Sequence, residues 1–133
     1  MTHDEILAYC IAKPGAFLDY PFGPQVAVIK VKSQNSAARI FAQLFMLRGE
    51  AKATLNCDRE TGEFYRTVFF GAVARGWHCP PVQQPYFNTV DLGGAVPDDV
   101  ILGMIDHSYS VVVGKLPKKY QRELFDGAPA KNR

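Results

Sequence analysis

Three strand-like runs, residues 25–32, 39–47 and 51–57, follow one another with only Ser33-Gln34-Asn35-Ser36 and Arg48-Gly49-Glu50 as turn signals between them. Parallel strands need a crossover of a dozen or more residues, so connections this short join antiparallel neighbours. Such a meander has to bury one of its faces, and the rest of the chain supplies what covers it. Thr2 followed by Glu5 reads as a capping box, and Ile6, Leu7, Cys10 and Ile11 recur at helical spacing until Lys13-Pro14-Gly15. A first helix is predicted over residues 3–12. Asp19-Tyr20-Pro21-Phe22-Gly23-Pro24 reads as an ordered loop. Asp58 is placed to cap a second helix to about Phe70, with Phe64, Val68 and Phe69 on its buried side, Gly62 inside it and Gly71 as its stop.

Residues 73–79 and 86–92 read as two further strands, bridged by a loop whose Pro80, Pro81 and Pro85 cannot pair in a sheet interior. Pro97 then opens a helix to about residue 116, with Asp98 and Asp99 at its positive end. Its Val100, Ile101, Met104, Ile105, Val111, Val112 and Leu116 form a broad apolar arc, into which Ser108 also points. The order α-β-β-β-α-β-β-α describes an α+β fold, an antiparallel sheet with helices packed on one face. At 133 residues the chain has the size of one domain with one core, and residues 123–133 are expected to form a flexible basic tail.

The N-terminus lacks a basic n-region and no apolar run approaches membrane-spanning length, so a cytoplasmic protein is expected. Cys10, Cys57 and Cys79 are odd in number and widely spaced, which reads as reduced thiols rather than disulfides or a zinc site. His3, His78 and His107 show no metal-ligand spacing, and no metal or other cofactor is expected. Asp106-His107-Ser108 is not a nucleophilic triad, because consecutive helical side chains diverge by about 100°. Trp77-His78-Cys79 sets an imidazole beside a thiol, but neighbouring side chains in a strand face opposite sides. No catalytic constellation is recognised.

The net charge of +2 is small but unevenly spread. No Lys or Arg occurs from Gly76 to Gly114, a stretch holding Asp91, Asp98, Asp99 and Asp106. Strict alternation in the meander puts Lys30 and Lys32, then Arg39 and Gln43, then Lys52, Thr54 and Asn56 on one side, joined by parity with Phe41 and Phe45. Ala27, Ile29, Ile40, Leu44, Met46, Ala53 and Leu55 take the other side. A face combining cations with aromatic rings suits phosphates and stacked bases. Lys115, Lys118, Lys119 and Arg122 would add to the same field. The leading expectation is therefore a non-enzymatic DNA-binding module of low sequence specificity, acting as a monomer away from membranes. The alternative is a small-ligand or protein-interaction domain whose pocket is rimmed by Trp77, His78, Tyr86, Asn88, His107 and Tyr109.

Asp19-Tyr20-Pro21-Phe22-Gly23-Pro24, Leu55-Asn56-Cys57-Asp58, Asn88-Thr89-Val90, Asp106-His107-Ser108-Tyr109 and Lys115-Leu116-Pro117-Lys118-Lys119 occur in an order that resembles MmcQ/YjbR-like proteins, over residues 2–122. The resemblance implies a fold like that of CyaY, the bacterial frataxin, and a double-wing mode of DNA binding. Two departures stand out. The family's basic-aromatic stretch before Asn-Thr-Val is here Cys79-Pro80-Pro81-Val82-Gln83-Gln84-Pro85-Tyr86-Phe87, without a lysine and with Phe87 in place of a tryptophan, and Asn56 stands where the family has lysine. Iron binding of the frataxin kind is not expected, because the first helix offers only Asp4 and Glu5.

Overall fold

The computed structural model describes residues 1–127. Helix α1 (His3–Ile11) is held by the expected capping box: the Thr2 hydroxyl accepts from Glu5 N–H, and the Glu5 carboxylate accepts from Thr2 N–H. Strands β1 (Ala16–Asp19), β2 (Ala27–Val31), β3 (Arg39–Leu47) and β4 (Glu50–Asn56) follow. After them come α2 (Arg59–Val68), β5 (Val73–Arg75), β6 (Phe87–Asp91), α3 (Asp98–Val113) and α4 (Lys118–Arg122). The strands form one six-stranded antiparallel sheet in the order β1-β2-β3-β4-β6-β5. The fold is α+β with the helices on one face, as expected.

Antiparallel partners share a face, so the register sorts the sheet into rows. Ala27, Leu44, Ala53, Val90 and Val73 form one continuous row across β2, β3, β4, β6 and β5, and it faces the helices. With Ile29, Val31, Ala42 and Leu55 it packs against Ile6 and Cys10 of α1 and Ile101, Met104, Ile105 and Val112 of α3. Each aliphatic side chain buried there contributes about 1.5–3 kcal/mol. Val28, Gln43, Thr54, Thr89 and Ala74 form the outer row. Val28 and Thr54 are buried even so, because the loop through Phe22 and Val26 and the turn at Trp77-His78 lie over that face.

Several expectations are corrected. Ala16–Asp19 pairs with β2 as an edge strand; flanked by the helix stop at Pro14-Gly15 and the prolyl loop, four residues were too short a run to read as a strand. On α2 the buried residue is Gly62, whereas Phe64 and Val68 are exposed. Strand β5 ends at Arg75 because the chain turns at Gly76 and His78, the latter at φ 63°. Glu123–Gly127, expected as the start of a flexible tail, forms a helical turn that buries Leu124 and bonds Glu123 to Ser33 and Asn35. The remainder of that stretch, 128–133, lies outside the described residues.

The correction with most consequence is in β3. Opposite β2 the register passes from Ile29↔Ala42 to Lys30↔Ile40, so Phe41 is an extra, bulged residue. The bulge reverses the alternation of everything before it. Phe41, placed on the basic side by parity, is buried instead, its ring 5.3 Å from that of Tyr109 and nearly perpendicular to it. Ile40 moves to the outer face opposite Lys30, and Arg39 moves into the row of Val31.

Candidate functional site

The cations read as one stripe separate into two groups. Lys30 donates to Asp19 at 2.8 Å, and Lys52 lies 3.3 Å from Glu50 and 3.8 Å from Asp91. Those contacts arise because Phe17↔Lys30, Asp19↔Val28 and Lys52↔Asp91 are register pairs on the outer face. The Lys30 hydrogen bond, helped by Tyr20 N–H, holds the Asp19 carboxyl below its ordinary range. The centre of the sheet is thus charge-compensated.

Lys32 and Arg39 lie at the far end of β2 and β3, where the bulge has turned Arg39 away from Lys30. The loop between these strands is tied to the C-terminal helical turn: Ser33 Oγ and Asn35 Nδ2 each donate to Glu123 at 3.0 Å. Asn35 foremost, with Ser33, keeps the Glu123 carboxyl ionised below its usual range. Helix α4, with Lys118, Lys119 and Arg122, runs directly into that turn. Arg39 and Lys115 line one open cleft of about 630 Å³, together with Ile40, Asn56, Phe87 and Val112. Among the described residues none of these six cations forms an ion pair.

The ligand-pocket candidates do not meet. Asn88 is buried on the helix side, accepting from Arg66 Nη1 at 2.6 Å and donating to the Gly62 carbonyl. His107 accepts from Asp58 N–H at 3.2 Å and closes the gap between α3 and the start of α2. Both line a small hollow with Tyr65 and Met104. Tyr109 donates to the Pro14 carbonyl at 2.6 Å, and burial pushes its phenol up to about 12. Tyr86 sits exposed on a 3₁₀ turn. Trp77 and His78 lie on the opposite face of the sheet, where they wall a second cleft with Phe22, Val26 and Phe45. Phe22 in that cleft and Phe87 in the first were not grouped with the site residues by sequence reasoning, which did place Asn56 on the side of Arg39. The pairing Asn56↔Phe87 depends on β4 lying beside β6, which no local pattern reveals.

Nucleophile chemistry finds little support in the geometry. Burial raises the Cys10 thiol to about 12 and the Cys57 thiol to about 11, and raises Cys79 as well, so each stays protonated near neutral pH. Ser108, buried in the helix-to-sheet contact, is occupied by two backbone groups. Among the described residues no group of three His, Cys, Asp or Glu side chains is placed to hold a metal ion, and no helix is long and apolar enough to cross a membrane.

Comparison with known proteins adds a lineage to this geometry. The chain is 29% identical over 124 residues to the uncharacterised protein YjbR of Escherichia coli strain K12, an alignment covering 93% of this chain and 98% of that protein. The crystal structure of Deinococcus radiodurans protein DR2400, a DUF419 domain, superposes with a TM-score of 0.82 at 27% identity, covering 92% of this chain and 87% of the other. A Pseudomonas syringae protein at 18% identity shares the fold alone, with a TM-score of 0.67 over 84% of this chain and 98% of its own. The YjbR family model matches residues 11–111, well over half of the sequence, and the chain belongs to the YjbR family.

Proposed function

We infer that this protein is a non-enzymatic nucleic-acid-binding module that meets phosphates through Lys32, Arg39, Lys115, Lys118, Lys119 and Arg122. The observation that carries the reading is the cleft shared by Arg39 and Lys115, in which two cations without carboxylate partners among the described residues stand beside Phe87 and Asn56. Unpaired cations release counterions when they meet phosphate, and this release supplies sequence-independent affinity. An aromatic ring and an amide in the same cleft add a surface for a base. The cytoplasm is the compartment this reading assigns, in keeping with three free cysteines.

The test is a salt titration of binding to labelled duplex and single-stranded DNA. For the duplex, Arg39→Ala with Lys115→Ala should flatten the slope of log affinity against log salt by up to about 1.8. Affinity should fall alike for unrelated sequences. Binding weaker than about 100 μM at low salt, or an unchanged slope, overturns the reading.

A further inference from the structure

The outer face of the sheet carries a second cleft close to the first. Phe22, Val26, Phe45, Trp77 and His78 wall an open depression of about 650 Å³, floored by Gln43 and Thr54. Gln43 pairs with Thr54 in the outer row, and Asn56 of the cationic cleft lies two residues further along β4 on the same face. The two floors are therefore about 7 Å apart along one strand.

Its chemistry differs from the first. Trp77 is 40% exposed and Phe22 61%, so large ring faces stand in water beside one another. Trp77 is nonetheless held in place: its backbone N–H donates to Thr89 Oγ1 at 2.8 Å, and its ring lies 4.6 Å from that of His78. His78, at φ 63°, turns the chain out of β5 and over the outer face, and Arg48, at φ 51° with Gly49 at φ 81°, is the first central residue of the two-residue β3–β4 hairpin turn. The Arg48 guanidinium sits 5.7 Å over the Trp77 ring, bringing a cation to the rim. On the floor, the Thr54 hydroxyl is committed to Thr89 at 2.8 Å. The half-buried Gln43 amide forms no hydrogen bond with another described residue, leaving a donor and an acceptor side by side. A flat ring with a polar edge and an attached anion matches these three elements together.

We propose that this cleft is a slot for one unpaired base of a single-stranded nucleic acid. The base stacks among Trp77, Phe22 and Phe45 with its edge on Gln43, and its phosphate lies at Arg48. The backbone continues past Asn56, where β4 ends, and over the end of the sheet to Arg39 and Lys115, so the slot rests on the function inferred above and narrows it to unpaired strands. A duplex cannot use the slot, because its bases are already stacked and paired.

Trp77 is the only tryptophan in the chain, so its emission reports on the slot alone. Wild-type protein is titrated with a single-stranded oligonucleotide, the same sequence as duplex, and a nucleoside monophosphate, following Trp77 fluorescence and the anisotropy of end-labelled DNA together. The single strand should quench Trp77 saturably, while the duplex binds without quenching. Phe22→Ala, at an exposed position, should weaken single-strand affinity about 5- to 150-fold and leave duplex affinity and the melting temperature unchanged. Gln43→Ala should act in the same direction. Salt-dependent binding of both forms without a change in Trp77 emission overturns the slot and leaves the cationic cleft standing. If neither form binds, both inferences fall. Quenching by the monophosphate at the same affinity as the strand would make the slot a mononucleotide site and overturn the continuous track.

Discussion

The Ser108 hydroxyl donates to the Phe41 carbonyl at 2.5 Å, and the same oxygen accepts from Asn56 N–H at 2.8 Å. A helix side chain thereby takes the place of the next backbone rung between β3 and β4, whose register begins at Ala42↔Leu55. Beyond this clip the strands part, and Ala38, Arg39, Ile40 and Asn56 come to line the cationic cleft. The bulge at Phe41 and the buried serine are two halves of one device.

Ser108→Ala should therefore cost more than the loss of a surface hydroxyl, because it strands a carbonyl and an amide away from water, at about 1–3 kcal/mol. Ser108→Leu overpacks a fully buried position, with a further penalty of about 1–3 kcal/mol. Urea unfolding of both variants checks this. A leucine as stable as the wild-type serine would show that the site has room the packing does not reveal.

Gly62 gives a prediction opposite in sign to helix propensity. Inside a helix, Gly→Ala ordinarily stabilises by about 1 kcal/mol. Here a Cβ would stand 2.5 Å from Cys57 Sγ and 3.3 Å from the Pro85 carbonyl, and the Gly62 carbonyl already accepts from Asn88. Gly62→Ala should lower the melting temperature, and Cys57→Ala added to it should recover part of the loss. A stabilised single variant would contradict the close approach of α2 to the end of β4.

Acid should destabilise the fold through four carboxylates. Hydrogen bonds from Lys30 to Asp19, from Thr61 N–H to Asp58 and from Asn35 to Glu123 hold these groups below their ordinary values. Partial burial works against ionisation of Asp106, but the Lys13 ammonium at 2.6 Å and the Tyr9 hydroxyl at 2.7 Å outweigh it. A lowered folded pKa contributes stability above the unfolded value, about 4, and loses it as pH falls through the folded value. Urea midpoints should be level from about pH 7 to 5 and fall below about pH 4. Asp106→Asn should lower the midpoint at neutral pH and make the acid loss shallower. A midpoint indifferent to pH down to 3 would remove these bonds from the stability of the fold.

What the sequence made legible follows from the range of each signal. Caps and hydrophobic periods are local, so α1, α3 and the three central strands read directly from Thr2-Glu5, the arc around Ile101 and the turn at Gly49. The burial of Ser108 was legible for the same reason, since it follows from helical phase alone. The phase of β3 was not, because one extra residue at Phe41 inverts the facing of Arg39, and a bulge is specified by the partner strand and the helix above it. The exposed Phe64 and Val68 misled the reading of α2, where Gly62, a residue without a side chain, packs closest and only Phe69 of the three expected aromatic and aliphatic residues joins Tyr65 against the core. Charge placement failed where pairing was non-local: that Lys30 meets Asp19 requires β1 to exist, and that Lys52 meets Asp91 requires β6 beside β4. The dispersal of Asn88, His107 and Tyr109 from Trp77 has the same cause, as opposite faces of one sheet separate residues that sequence cannot assign to a face.

Those two ion pairs yield the last prediction. A lysine already facing a carboxylate adds little net charge to neutralise a phosphate and so displaces few of the counterions condensed on DNA, and drawing it to a phosphate would leave Asp19, or Glu50 and Asp91, beside the incoming anion. Lys30→Ala with Lys52→Ala should therefore change the salt slope of DNA binding far less than Arg39→Ala with Lys115→Ala, although both pairs remove two formal charges. The compensated pairs are partly exposed, so their loss should cost little stability, and both double variants should remain folded. Parallel titrations of the two double variants against one duplex, from about 50 to 200 mM salt, separate the cases. An equal flattening by the Lys30 and Lys52 variant would move the phosphate track onto the centre of the sheet and away from the cleft between Arg39 and Lys115.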